Sequence, residues 1–235
     1  MKIAVACLLV ALAGFGMCRA EDKPVTVLIV GGGSSHDFGK WFNLADVATL
    51  TEAKAKVTYT DKPGAVLEQL KDLDVLYLST NQTMADVALR KGIFDFADAG
   101  KGLLLVHPAL WYNWGDWADY NKTLVGGGAK GHDKYGEFEV TVDDEKHPVM
   151  AGVSKSFKIS DELYNFIKDE KGTPITVLAT GKNLTTGKSF PVVWIVQHPK
   201  AKIVCMTLGH DGKAHELPEY KKILQNALNW AAGKK

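Results

Sequence analysis

The chain of 235 residues carries 28 Lys and Arg against 27 Asp and Glu, a formal net charge of +1, and 46% of it is hydrophobic. Charges of both signs alternate along it, which excludes the basic footprint of a nucleic-acid-binding protein. No repeat, low-complexity tract or long linker divides it, so residues 21–235 read as one domain, long enough to bury a full core without staples.

Residues 1–20 form a unit of their own. Lys2 gives a basic start, Ile3 to Phe15 is almost wholly apolar, and Cys18-Arg19-Ala20 places small residues at −3 and −1, the pattern of an export signal cleaved after Ala20. The apolar stretch is too short to span a bilayer comfortably. Met17 stands where a lipid-anchored Cys18 would need a small residue. The expectation is a periplasmic or secreted protein with no membrane contact once the signal is removed. Cleavage takes away Cys7 and Cys18, leaving Cys205 alone, so no intramolecular disulfide can form.

Val25 to Val30 reads as a first strand, running into Gly31-Gly32-Gly33-Ser34-Ser35-His36, and Phe38, Trp41, Phe42, Ala45 and Leu50 then recur at helical spacing. Lys56 to Thr60 predicts a second strand, Ala65 to Leu70 a short helix, Asp74 to Leu78 a third strand, and Ala88 to Ala99 a helix closed by Gly100. Gly102 to Val106 is an uninterrupted apolar run, the signature of a strand buried on both faces of a parallel sheet. It leads directly into His107-Pro108. From Trp111 to Lys134 no period is sustained, which predicts a long functional loop with a helical turn around Asp116 to Leu124. Strands follow at Glu137 to Val142, Phe157 to Ile159, Thr176 to Ala179, Pro191 to Gln197 and Lys202 to Leu208, and Tyr220 to Ala232 is a terminal helix. The alternation argues for an α/β fold with a mostly parallel central sheet flanked by helices, and the middle strands for an antiparallel extension at one edge.

The chain has seven histidines, and His36, His107 and His210 each follow an apolar strand. Ligands of open α/β sheets bind at the carboxyl ends of the strands. Three imidazoles on that edge suit metal binding or proton transfer. His132 follows the flexible Gly126-Gly127-Gly128, whereas His147 and His198 each precede a proline and read as turn residues. Asp161 and Glu162 are adjacent, so only one of an extended pair faces a pocket. Glu162 is the better acid, base or ligand, and Asp161 the better backbone anchor. Gly31-Gly32-Gly33 lacks both the dinucleotide and the phosphate-loop spacing, which disfavours a Rossmann redox enzyme. Its glycines are expected to admit a ligand or the loop of His107. Cys205 lies inside an apolar strand and reads as core, and Ser34 and Ser35 lack the nucleophile-elbow pattern.

Several of these segments together resemble the ThuA-like family of trehalose utilisation, whose fold is similar to that of class I glutamine amidotransferases. They are Gly-Leu-Leu-Leu-Val-His at 102–107, Leu124-Val125-Gly126-Gly127 with His132, His147-Pro148, Asp161-Glu162-Leu163-Tyr164, Leu208-Gly209-His210-Asp211, and Asn229-Trp230-Ala231-Ala232-Gly233. The resemblance implies a flavodoxin-like fold. It also implies that the turn after the strand ending at Val106 corresponds to the amidotransferases' nucleophilic turn, where this chain has His107-Pro108-Ala109 and no cysteine. Glutaminase chemistry is therefore not expected.

What the resemblance implies is a role in carbohydrate metabolism with a small-molecule carbohydrate as partner. A hydrolase or lyase acting on a disaccharide, glycoside or keto-sugar derivative is the leading expectation. In it His107, His132 and His210 bind a divalent metal such as zinc or relay protons, and Glu162 acts as acid or base beside His107 and His210. Substrate contacts are expected from His36, Trp111, Trp114, Tyr164 and Asp211. The alternative is a noncatalytic periplasmic carbohydrate-binding or partner protein, and a homo-oligomer is compatible with either. For the export signal, Edman sequencing of the protein recovered from the exported fraction is expected to begin at Glu21; a chain beginning at Met1 would contradict it.

Overall fold

The computed structural model describes residues 23–234. The expected signal at residues 1–20 lies outside them. Among the described residues no helix is long and apolar enough to cross a membrane.

The first half of the chain alternates strand and helix. β1 (Thr26–Val30), β2 (Lys56–Thr60), β3 (Val75–Leu78) and β4 (Gly102–Val106) are linked through α1 (Val47–Glu52), α2 (Val66–Gln69) and α3 (Val87–Asp98). A π-helical segment, Gly39–Asp46, leads into α1. After β5 (Gly127–His132), β6 (Gly136–Val142), β7 (Ser156–Asp161), β8 (Tyr164–Lys168), β9 (Ile175–Lys182) and β10 (Ser189–Val196), the chain returns to the centre as β11 (Ile203–Met206) and closes with α4 (Gly212–His215) and α5 (Pro218–Ala231).

The main sheet has nine strands in the order β2-β1-β3-β4-β11-β10-β9-β6-β7. From β2 to β11 all neighbours are parallel, giving the flavodoxin-like order with β11 as the fifth strand. Beyond β11 the pairing is antiparallel, which is the extension expected at one edge. The two faces follow from the period of a strand: Val27 and Ile29 join the layer of Leu50, Ile223 and Leu228, while Leu28 and Val30 join that of Leu89, Ile93 and Phe96. α1 and α5 therefore cover one face, and α2 and α3 the other.

Two strands depart from the sequence expectation. β5 falls inside the expected loop and β8 in a segment given no element, yet they pair with each other in a separate two-stranded antiparallel sheet. Glycines at three of the six positions of β5 erase the apolar alternation that marks a strand, so the ladder hydrogen bonds define it instead. Trp111 bridges to Ala129 and the amide of Tyr112 donates to the Ala129 carbonyl, which fastens the loop after β4 to this ribbon. Cys205 is buried and free, as a core residue of β11.

Candidate functional site

The order reverses between β1 and β3, and the loops after β1, β3, β4 and β11 open at that crevice. His107 occupies the first position after β4 with φ of +48°, in the left-handed region. A β-carbon there costs about 1–3 kcal/mol, a strain that persists only where surroundings enforce it. They do: the ring is fully buried, and its Nδ1 lies 2.6 Å from the carbonyl oxygen of Thr207. A carbonyl can only accept, so Nδ1 carries the proton and the lone pair of Nε2 faces the crevice. Burial holds the His107 pKa well below its ordinary value, so the imidazole is neutral.

His36, on the loop after β1, places its Nε2 2.9 Å from His107 Nε2. Its Nδ1 lies 2.6 Å from Ser35 Oγ, which in turn accepts from Asn81 Nδ2 at 3.0 Å, so the loop after β3 orients the ring. Burial, reinforced by His210, lowers the His36 pKa to about 4. His210 follows β11. Its Nδ1 is buried without a hydrogen bond of good geometry and lies 3.2 Å from Glu162 Oε2. The Glu162 carboxylate raises the His210 pKa. Burial works against ionising Glu162, but His210, with His132 and His36, outweighs it and keeps the pKa low.

One ligand atom from each of His36, His107, Glu162 and His210 falls within 4.8 Å of the others. His132, expected among the ligands, stands outside this set. β5 pairs it opposite Tyr164, its Nδ1 turns to the Asp133 carbonyl at 2.8 Å, and its Nε2 reaches only the outer oxygen of Glu162, at 3.5 Å. His36, expected to contact substrate, takes its place in the cluster. Of the acidic pair, Glu162 faces the histidines and Asp161 holds backbone: its oxygens accept from the amides of Glu162, Gly209 and His210.

A cavity of about 240 Å³ opens over the cluster, lined by Trp111, Tyr164, Asn81, Asn113, His36 and Glu162 among others. Tyr164 lies against the His107 ring at 4.7 Å between centroids and meets Trp111 edge to face at 5.3 Å. Trp114 is not part of this wall. It is buried, packs on Trp117 and Tyr120, and donates its indole N–H to the Gln82 carbonyl at 2.9 Å. Asp211 caps α4 through the Lys213 amide and accepts from the Tyr135 hydroxyl, so its carboxylate serves local structure rather than the cavity. The glycines of the first turn admit Tyr59, Gln82 and Asn81 rather than the loop of His107; a β-carbon on Gly31, Gly32 or Gly33 would collide with those side chains.

Sequence reasoning overlooked a support beneath His210. His215 and Asp46 are fully buried, with His215 Nδ1 2.7 Å from Asp46 Oδ1 and Nε2 3.0 Å from the Gly209 carbonyl. The Tyr77 and Tyr220 hydroxyls donate to the other Asp46 oxygen. The one available signal was a carboxylate one turn after Phe42, on the buried face of the Gly39–Asp46 helix.

A parallel sheet with three histidines and a glutamate gathered at its carboxyl edge, beside an aromatic cavity, defines an α/β protein with a metal-type polar centre. Residues 26–231 match the model of the ThuA family, described as trehalose utilisation, and the chain belongs to that family. Its fold is similar to that of ThuA-like proteins from Parabacteroides merdae (TM-score 0.77, 18% identity, 90% of this chain and 91% of that one) and Bacteroides uniformis (0.75, 20%, 93% and 95%). It is also similar to a glutamine amidotransferase from Thermotoga maritima (0.57, 11%, 89% and 99%). None of the curated proteins matches the sequence.

The buried pair makes stability depend on pH. Burial opposes charging His215, but Asp46 and the Gly209 carbonyl outweigh it and raise the pKa. An unfolded histidine titrates near about 6.5, so the pair contributes fully below that pH and its contribution is lost as pH rises through the raised folded value. Urea unfolding of His215→Ala is expected to show a loss of about 3–5 kcal/mol at pH 6 that narrows as pH increases. A loss that grows with pH would contradict the assignment.

Proposed function

We propose that this protein is an exported, sugar-active hydrolase or lyase. Its substrate is a disaccharide, glycoside or keto-sugar derivative, and its centre is His36, His107, His210 and Glu162. The observation that carries this reading is the convergence of those four groups at the carboxyl edge of the sheet. The family's description points to carbohydrate, and the pattern of residues 1–20 supports export.

The donor set fits a divalent cation such as zinc. His36 and His107 are kept neutral with ring nitrogens toward the site, Glu162 is kept ionised, and His210 Nδ1 is buried facing Glu162 without a hydrogen bond of good geometry. Imidazoles and carboxylates are both ordinary zinc ligands, and the Thr207 and Ser35 contacts supply the outer partners that fix ring orientation. A bound cation would supply Lewis acidity toward a sugar or water oxygen.

The chain's own groups perform the remaining tasks. Glu162 faces two ways, with Oε2 toward His107 and His210 and Oε1 toward His132. One oxygen stays within the cluster while the other takes a proton, either from water in a hydrolase or from the carbon beside a carbonyl in a lyase. His132, partly exposed at the cavity, carries that proton onward. Trp111 and Tyr164 offer ring faces to a sugar, and Asn81 and Asn113 offer amides to its hydroxyls. The cavity of about 240 Å³ lies just below the roughly 300–1,000 Å³ of drug-sized ligand sites, which suits one sugar ring.

The test measures metal content and release of reducing sugar from glycosides and their keto derivatives. Wild type is expected to carry near one equivalent of cation and to turn over at least one substrate. Glu162→Gln should lower kcat/KM by about 10²–10⁴, and His107→Ala should lose both metal and activity. Sugar binding without metal or turnover would leave the noncatalytic binding protein as the reading that stands.

A further inference from the structure

His36 lines two cavities. Besides the aromatic one over the cluster, a second of about 510 Å³ borders it, formed by the turn after β1 with Asn43, Tyr59, Asp61 and Gln82. The imidazole that belongs to the cluster therefore borders both chambers.

The two chambers differ in chemistry. The first presents Trp111 and Tyr164. The second presents a phenol, an amide and a carboxylate from three elements. Among the described residues the polar side-chain atoms of Tyr59, Asn43 and Asp61 show no hydrogen bond or ion pair, although the Tyr59 ring packs over Gly31. Gln82 is used: its amide donates to the carbonyls of Gly31 and Asp61 at 2.9 Å each, fixing the turn after β1 against the end of β2. A pre-shaped chamber with unspent donors and acceptors is what a hydroxyl-rich ligand needs, because each polar group it desolvates must be paired again. The acidic side chains lining it are Asp37 and Asp61, and no Lys or Arg lines it, which works against an anionic ligand.

We propose that this second chamber is the binding site for the second unit of a two-unit glycoside. One ring lies against Trp111 and Tyr164, the other is held by Tyr59, Asn43 and Asp61, and the linkage between them crosses His36. The substrate class is then a neutral disaccharide or a close glycoside, rather than a single sugar or a sugar phosphate. This rests on the sugar-active reading above and specifies it.

Calorimetric titration of the cation-loaded protein with methyl α-glucoside, trehalose, maltose, cellobiose and trehalose 6-phosphate tests it. At least one neutral disaccharide is expected to bind tenfold or more tightly than methyl α-glucoside, and the phosphorylated sugar tenfold or more weakly than trehalose. The double variant N43A/D61A should lose the disaccharide advantage while keeping its methyl α-glucoside affinity, which also reports that it folds. Tyr59→Phe, which deletes one hydroxyl, should lose part of the advantage. Equal binding of one-unit and two-unit sugars, a double variant that keeps the full advantage, or a preference for the phosphate would overturn the second subsite alone. Failure of wild type to bind any of the sugars would overturn the sugar-active reading, and the subsite with it.

Discussion

A single buried carboxyl ties the two halves of this molecule together. Asp161, fully buried at the end of β7, accepts from the amides of Glu162 at 2.7 Å, Gly209 at 2.8 Å and His210 at 3.2 Å. β7 is the last strand of the antiparallel extension, whereas Gly209 and His210 form the turn after the parallel strand β11. Burial pushes the Asp161 pKa up to about 7 while the three N–H donors pull it down. Each donor would be orphaned without it, at about 1–3 kcal/mol apiece. With both turns held by one side chain, the next residue, Glu162, is delivered among histidines that belong to the other half.

Around this tie the site is braced from below and beside. His215 holds the Gly209 carbonyl from beneath and is itself held by Asp46, whose second oxygen is taken by two tyrosine hydroxyls. His107 is kept in a left-handed conformation by its bond to Thr207, the residue three before His210. The polar groups at the crevice are thus fixed by interactions made before any ligand arrives. Preorganisation of this kind is what allows polar groups to act on a substrate without reorganising at the moment of reaction.

The strand ends were legible because parallel strands buried on both faces spell themselves as apolar runs, and the residue where the run stops is the residue at the crevice. That logic found His36, His107 and His210, and the alternation of a strand separated Glu162 from Asp161. It failed where side chains stop reporting structure. β5 is half glycine, so nothing in its pattern showed that it pairs with β8 and carries His132 to the far side of Glu162. Trp114 reads like Trp111 in a sequence without period, yet one is buried against Trp117 and Tyr120 and the other lines the cavity. His215 and Asp46 are 169 residues apart, a pairing that only the sheet's return through β11 creates.

The most direct test is anomalous diffraction from crystals of the protein equilibrated with zinc. The account predicts one strong peak bonded to a ring nitrogen of each of His36, His107 and His210 and to a Glu162 oxygen, at about 2.0–2.2 Å. His132 should stand outside the coordination shell. No peak at the cluster, or a cation held elsewhere in the molecule, would contradict it.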